Sequence, residues 1–229
     1  MSSSLEKNTV SSYNQLKGAP YCYTMRPEGK GLRVLFLGNS ITLHGINEGI
    51  GWPRVCGMAA SSIEKDYVHV CMDKILEHDN DATFALGQVA EWERVYNNGS
   101  TVLENYQASR DFNADVIIVR LIENCPYQDF IHEDFQREYK AFIDFFNKSG
   151  KAKVILTTGF WRHPGDESIR AVAEKYGYPI VELGDLGENP EMKAIGEYEH
   201  GGVQQHPGDK GMANIAERII DKLKEEKII

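Results

Sequence analysis

Short apolar runs separated by longer stretches with a helical repeat constrain this chain more than any other feature. Residues 32–37 (LRVLFL), 115–121 (DVIIVRL) and 153–157 (KVILT) are rich in Val, Ile and Leu. Residues 178–181 (YPIV) form a shorter fourth run, and 82–86 (ATFAL) a weaker candidate between the first two. Apolar side chains at nearly every position mean burial on both faces, which is the habit of parallel strands. Between the runs, residues 130–147, 166–176 and 209–223 repeat apolar side chains near every 3.6 positions, and Asp209 is placed to cap the last of these helices. A longer helical stretch is expected over 55–78, broken near Ser61 and Ser62 by a new N-cap. Strands alternating with helices of this length make βαβ units. The expected fold is a three-layer α/β/α sandwich around a mainly parallel, flavodoxin-like sheet.

The chain has 229 residues, enough to bury a core without metals or disulfides. No interior linker divides it. Residues 1–30 read as a polar N-terminal arm, irregular and anchored by Tyr21 and Tyr23, and residues 31–229 as one domain. The net charge of -9 argues against nucleic acid or an anionic membrane as the main partner. None of Cys22, Cys56, Cys71 and Cys125 forms a C-x-x-C pair, so buried thiols are expected rather than a zinc or redox site. With neither an apolar leader nor an 18-residue apolar stretch, a cytoplasmic location is the expectation.

In open parallel sheets, ligands sit beyond the carboxyl ends of the strands. Three such places carry reactive residue types. The first run ends in Gly38-Asn39-Ser40, where a sharp turn into a helix would lift the Ser40 hydroxyl and N–H above the sheet. Taken alone, Ser40 reads equally well as a helix cap. The second run is followed by Glu123-Asn124-Cys125-Pro126, where the Asn124 amide can donate to an oxyanion or simply make an Asx turn. Near the C-terminus, His206 precedes Pro207 and is therefore held extended, in a loop before the last helix. A histidine so fixed suits a general base, although any of the seven histidines could lie on a loop.

Taken together, Gly-Asn-Ser, Glu-Asn and His206-Pro207-Gly208-Asp209-Lys210-Gly211, in this order and on these elements, resemble the SGNH (GDSL-type) hydrolases over about residues 32–225. The resemblance implies a serine esterase. Ser40 would be the nucleophile and one oxyanion donor, Asn124 a second donor, and His206 the base. Gly87, in Leu86-Gly87-Gln88, is the candidate for the family's remaining glycine donor. Neither metal nor cofactor is implied.

Two positions depart from the family pattern. Ile122 stands where a glycine usually lies two residues before the asparagine. Val203 stands where an aspartate usually lies three residues before the histidine. That aspartate fixes the imidazole tautomer and stabilises the imidazolium, and its loss cost about 10⁴ in kcat in one serine-protease triad. Three outcomes are open: a backbone carbonyl near Gly202 or Val203 holds the Nδ1 proton, Glu197 or Glu199 replaces the acid, or the site is weak or dead. A working dyad or a replaced acid is preferred, because Ser40, Asn124 and His206 are all present.

Asn39, His44, Trp52 and Trp161 are candidates to contact substrate, with the two tryptophans as a stacking wall or, equally, as packing beneath loops. The expected reaction is hydrolysis of short-chain, acetyl-type esters, with carbohydrates as the candidate alcohols, through an acyl-Ser40 intermediate. The alternatives are a catalytically weak or inactive small-molecule or carbohydrate binder on the same fold, acyl transfer to a sugar, and a nucleotide or flavin binder. The last lacks both G-x-G-x-x-G and G-x-x-x-x-G-K-[ST].

Overall fold

The computed structural model describes residues 22–26 and 28–229. Its strands are β1 (Cys22–Met25), β2 (Arg33–Gly38), β3 (Thr83–Gln88), β4 (Val116–Arg120), β5 (Lys153–Thr157) and β6 (Ile180–Val181). Its α-helices are α1 (Tyr67–Leu76), α2 (Ala90–Arg94), α3 (Gln107–Asp111), α4 (His132–Phe146), α5 (Asp166–Tyr176), α6 (Gly201–Gln205) and α7 (Asp209–Glu225). Among the described residues, one sheet takes the order β1-β3-β2-β4-β5-β6. Every neighbouring pair is parallel except β1 with β3. Leaving β1 aside, the order is that of a flavodoxin-like sheet, as the apolar runs predicted.

Alternation along β2 decides the layers. Val34 and Phe36 face a cluster built with Val68, Cys71 and Ile75 of α1 and Met212, Ile215 and Ile219 of α7. Leu35 and Leu37 face the opposite cluster, with Trp92 of α2, Phe135, Tyr139 and Phe142 of α4, and Ile169 of α5. The α4 stripe closes around Trp92, with ring centroids of Phe135, Tyr139 and Phe142 at 5.8, 6.1 and 4.7 Å. Burying each such side chain is worth about 1.5–3 kcal/mol. Cys56, Cys71 and Cys125 are buried and unpaired. Among the described residues, no helix is long and apolar enough to cross a membrane.

The sheet begins earlier than expected. Cys22–Met25, assigned above to an irregular arm, is an edge strand paired antiparallel to β3 from Cys22 opposite Gly87 to Met25 opposite Phe84. Tyr21 lies outside the described residues. The helix expected over 55–78 starts only at Tyr67, capped by Asp66, whose carboxylate accepts from His69 N. Residues 55–60 are not helical, and three successive N–H groups in them are committed elsewhere. Cys56 N donates to His44 O, Gly57 N to Asp66 Oδ2, and Met58 N to Ser40 O. Asp209 is also not the cap of α7. Gly208 holds that position, and Asp209 instead accepts from Ser61 N at 2.8 Å, Ser61 Oγ at 2.7 Å and Lys65 Nζ at 2.8 Å.

The two strands that matter most for the site are neighbours. Gly38, the last residue of β2, lies opposite Arg120, the last of β4. With β3 on one side of β2 and β4 on the other, their carboxyl ends flank the point where strand order reverses. Crevices for ligands open at such points.

Candidate active site

Ser40 follows β2 on a tight turn in which Thr42 N and Leu43 N both donate to Asn39 O at 2.9 Å. No helix forms here, contrary to the expectation of a strand-to-helix elbow. The turn needs a glycine before it, since a Cβ on Gly38 would lie 2.6 Å from the Arg120 carbonyl oxygen. Ser40 O accepts from Met58 N at 2.8 Å, which pins the main chain, and the side chain is half-buried.

His206 reaches Ser40 from the loop between α6 and α7. Its backbone is extended, φ -68° and ψ 161°, as the following proline requires. The carbonyl of His206 accepts from Ala194 N at 3.0 Å, which ties the loop down. Nε2 lies 2.9 Å from Ser40 Oγ. Nδ1 lies 2.8 Å from the Gly202 carbonyl oxygen. A carbonyl can only accept, so Nδ1 carries the proton and the Nε2 lone pair faces the hydroxyl. Of the open outcomes at Nδ1, the backbone carbonyl is the one the structure takes, and Glu197 and Glu199 stay exposed. Burial pushes the imidazole down to about 4, so it is neutral at ordinary pH.

Behind the serine lies a buried polar cluster. Arg120 donates to Glu123 at 2.6 and 3.0 Å and to Asn39 Oδ1. Asn39 Nδ2 donates to Glu123 Oε2 at 2.5 Å and to Glu93 Oε1 at 2.9 Å. Glu93, fully buried on α2, also accepts from Ile122 N at 2.6 Å, Asn124 N at 3.4 Å and Asn124 Nδ2 at 2.7 Å. Burial and then the neighbouring Glu123 push the Glu93 carboxyl up. Burial works the same way on Glu123, but the Arg120 guanidinium, the Phe160 N–H and the Asn39 amide together hold that carboxyl below its usual range. Asn124, which the sequence alone also allowed as an Asx-turn residue before Pro126, turns its amide nitrogen inward. Its amide is tied to an acid 31 residues earlier in the chain.

Ile122, where the family has glycine, takes φ 143°. That region favours glycine, and a β-branched residue held there stores on the order of 1–3 kcal/mol. Gly159 and Gly165 make the room it needs, because a Cβ on either would come within 2.7 and 2.5 Å of the Ile122 side chain.

The other predicted residues separate into two groups. Trp161 is half-buried and stands edge-on to the His206 ring, 5.2 Å between centroids. His44, also half-buried, donates from Nδ1 to Gly45 O, 2.6 Å away, and burial lowers its pKa. Trp52 and Asn39, by contrast, are fully buried and present no surface to a substrate. Trp52 is the packing alternative: it lies with Cys56, Met58 and Val203 in a small core and meets Tyr198 at 5.8 Å. Gly87 lies inside β3, where a Cβ would collide with Leu37 Cδ2 at 2.7 Å, and the structure gives close packing as its evident reason. Among the described residues, no group of three or more His, Cys, Asp or Glu could hold a metal ion.

Sequence reasoning missed Glu93 and Arg120, while the Gly202 carbonyl was among the partners it allowed for Nδ1. A charged residue ending an otherwise apolar strand was a visible signal for Arg120. Glu93 gave none, since Ala90-Glu91-Trp92-Glu93-Arg94 reads as a short, mostly charged and exposed helix.

Solved structures of similar fold include esterases and an acylhydrolase. The lipase/acylhydrolase from Enterococcus faecalis is 13% identical and aligns over 86% of this chain and 97% of its own, with a TM-score of 0.57. The psychrotrophic esterase EstA from Pseudoalteromonas sp., inhibited by monoethylphosphonate, is 14% identical over 87% of this chain and 100% of its own, with a TM-score of 0.55. The chain has the fold of the SGNH hydrolases. A family two carbohydrate esterase from Clostridium thermocellum, in complex with cellohexaose, shares this SGNH fold at 13% identity over 87% of this chain and 66% of its own, TM-score 0.53. A two-domain esterase active on acetylated mannans is 17% identical at a TM-score of 0.55. The match covers 88% of this chain and 52% of that one, so this chain spans about half its length. No protein-family model matches the sequence, and no curated protein sequence is significantly similar to it.

Proposed function

We propose that this chain is a serine hydrolase of carboxylic esters. The observation that carries the reading is the Ser40 Oγ–His206 Nε2 contact of 2.9 Å, with Nδ1 occupied on the other side of the ring by Gly202 O at 2.8 Å. In this geometry Ser40 Oγ attacks the ester carbonyl and its proton passes to Nε2. The tetrahedral oxyanion is stabilised by the Ser40 N–H and one N–H of the Asn124 amide. Collapse breaks the C–O bond to the alcohol, which leaves with the proton from Nε2. Water then attacks the acyl-Ser40 carbonyl, gives a proton to Nε2, and the acid departs as Ser40 recovers its proton.

The imidazolium formed on the way faces a carbonyl dipole in place of a carboxylate. Gly202 thus supplies the tautomer-fixing half of the usual acid's role but not its full charge. Short acyl groups, acetyl above all, are the proposed substrates, carried on a carbohydrate alcohol. The Trp161 edge beside His206 offers an aromatic wall for a sugar ring, and two of the structures above are an esterase active on acetylated mannans and a carbohydrate esterase with cellohexaose bound.

The test is hydrolysis of p-nitrophenyl acetate by the wild-type protein and by Ser40→Ala. The expected loss is about 10⁴-fold or more in kcat. Equal rates would overturn the reading.

A further inference from the structure

The geometry points to Glu93 as a positioning residue of this site, a buried carboxylate that aims the Asn124 amide at the oxyanion. This rests on the esterase reading above and extends it to a residue on a different element. Glu93 has no exposed surface and touches neither Ser40 nor His206 in any recorded hydrogen bond. Its two oxygens accept from Asn39 Nδ2, Ile122 N, Asn124 N and Asn124 Nδ2. All four partners are N–H donors, so a proton on this carboxyl would find no acceptor among them. The arrangement therefore requires the ionised form, even though burial and Glu123 oppose it.

The amide of Asn124 shows what this arrangement accomplishes. Its nitrogen carries two N–H bonds in one plane, about 120° apart. One points to Glu93 Oε2 at 2.7 Å, and Nδ2 makes no other hydrogen bond among the described residues. Fixing the first N–H fixes the direction of the second. The same carboxylate holds Asn39, the residue beside Ser40, through its other oxygen at 2.9 Å. Nucleophile and oxyanion donor are thereby registered to each other through one side chain. Glu93 Oε1 also holds the N–H of Ile122 at 2.6 Å, where the chain passes through φ 143° without a glycine. A loop strained in this way keeps its shape only if surrounding contacts over-determine it, and Glu93 is the side chain that bonds both Ile122 and Asn124.

A double-mutant cycle on Glu93→Gln and Asn124→Ala, read by p-nitrophenyl acetate hydrolysis, tests this. Glutamine has the same shape but turns an N–H₂ toward donors, so Asn124 loses its fixed direction. Glu93→Gln is expected to lower kcat by about 10²-fold with little change in KM, as for the loss of one oxyanion donor. In the double variant, kcat should stay within a factor of about two of Asn124→Ala alone, because Glu93 acts through the amide that is already gone. Wild-type kcat in Glu93→Gln, or losses that multiply in the double variant, would overturn the proposal. Glu93→Asp is the second probe: it keeps the charge but withdraws it by one methylene, and it should lower kcat less than Glu93→Gln. If neither single variant folds, Glu93 is a structural residue and the proposal fails. A Ser40→Ala control as active as wild type would instead overturn the esterase reading, and the role of Glu93 with it.

Discussion

The loop that presents His206 and the loop that presents Asn124 are built from different materials. Apart from Ser40 and the Trp161 ring edge, His206 is held by main chain: Nδ1 on the Gly202 carbonyl, its own carbonyl on Ala194 N, and an extended backbone imposed by Pro207. Asn124 is held by buried charge: Glu93 and Arg120 have no exposed surface, and the Glu123 side chain is little exposed. The difference teaches where each kind of support suffices. A neutral imidazole needs one acceptor at a fixed distance, and a carbonyl supplies it. A strained loop with a β-branched residue at φ 143° needs strong acceptors for its N–H groups, and carboxylates supply those.

Arg120→Met is the change that breaks the charged side most severely. It leaves Glu123 buried without its cation, and the expected cost is about 3–5 kcal/mol in urea unfolding, with loss of esterase activity. A variant as stable as wild type would show that the cluster does not depend on its cation. Val203→Asp probes the main-chain side. It restores the family's acid by sequence, but the Val203 side chain is buried with Trp52, Cys56 and Met58 rather than turned to His206. The variant should therefore lose about 1–3 kcal/mol and gain no kcat. A rise in kcat would mean that α6 can rotate to deliver a carboxylate.

The pH profile sharpens the same contrast. Burial lowers the His206 pKa from 6.5 to about 4, and protonated imidazole cannot accept the Ser40 proton. kcat/KM is therefore expected to hold steady as pH falls through 6.5 and to decline only near 4. At about pH 5.5 an ordinary histidine would leave roughly one tenth of the activity, and this site should keep nearly all of it. An acid limb centred near 6.5 would contradict the burial. The sign for stability follows from the same shift. Below 6.5 the unfolded chain takes up a proton that folded His206 refuses, so this residue's contribution falls as pH drops from about 6.5 to about 4. The smallest effect is expected at Ile122. Both Ile122→Ala and Ile122→Gly lose the side chain, but only glycine relieves the φ of 143°, so the glycine variant should be the more stable by about 1 kcal/mol. The usual order, alanine above glycine, would show that the loop stores no strain.

What the sequence disclosed and what it withheld follow from the reach of each interaction. The parallel strands and α4, α5 and α7 were legible because their apolar spacing is local and long enough to count. Ser40 and His206 stood out as chemistry at strand and loop ends, and the structure brings them to 2.9 Å. The edge strand Cys22–Met25 was missed because its pairing partner β3 lies some sixty residues away and its neighbours are turn-forming residues. Residues 55–60 looked helical by composition, yet their N–H groups go to His44, Ser40 and Asp66, which no periodicity reveals. Trp52 invited a role in binding because its segment follows the nucleophile on the carboxyl side of the sheet; of the two readings, packing is the one the structure takes. Asp209 was read as a cap from its place at a helix start, while its carboxylate serves Ser61 and Lys65 across the fold. Glu93 was the deepest omission: a charged residue on a short helix is buried only when distant donors converge on it, and those donors come from Asn39, Ile122 and Asn124.

Covalent trapping tests the central claim most directly. The protein is incubated with p-nitrophenyl ethylphosphonate and its peptides are mapped by mass spectrometry. The dyad predicts one ethylphosphonyl adduct, on the peptide containing Ser40, and almost none in His206→Ala. An adduct on any other residue, or equally rapid modification of Ser40 when His206 is gone, would contradict it.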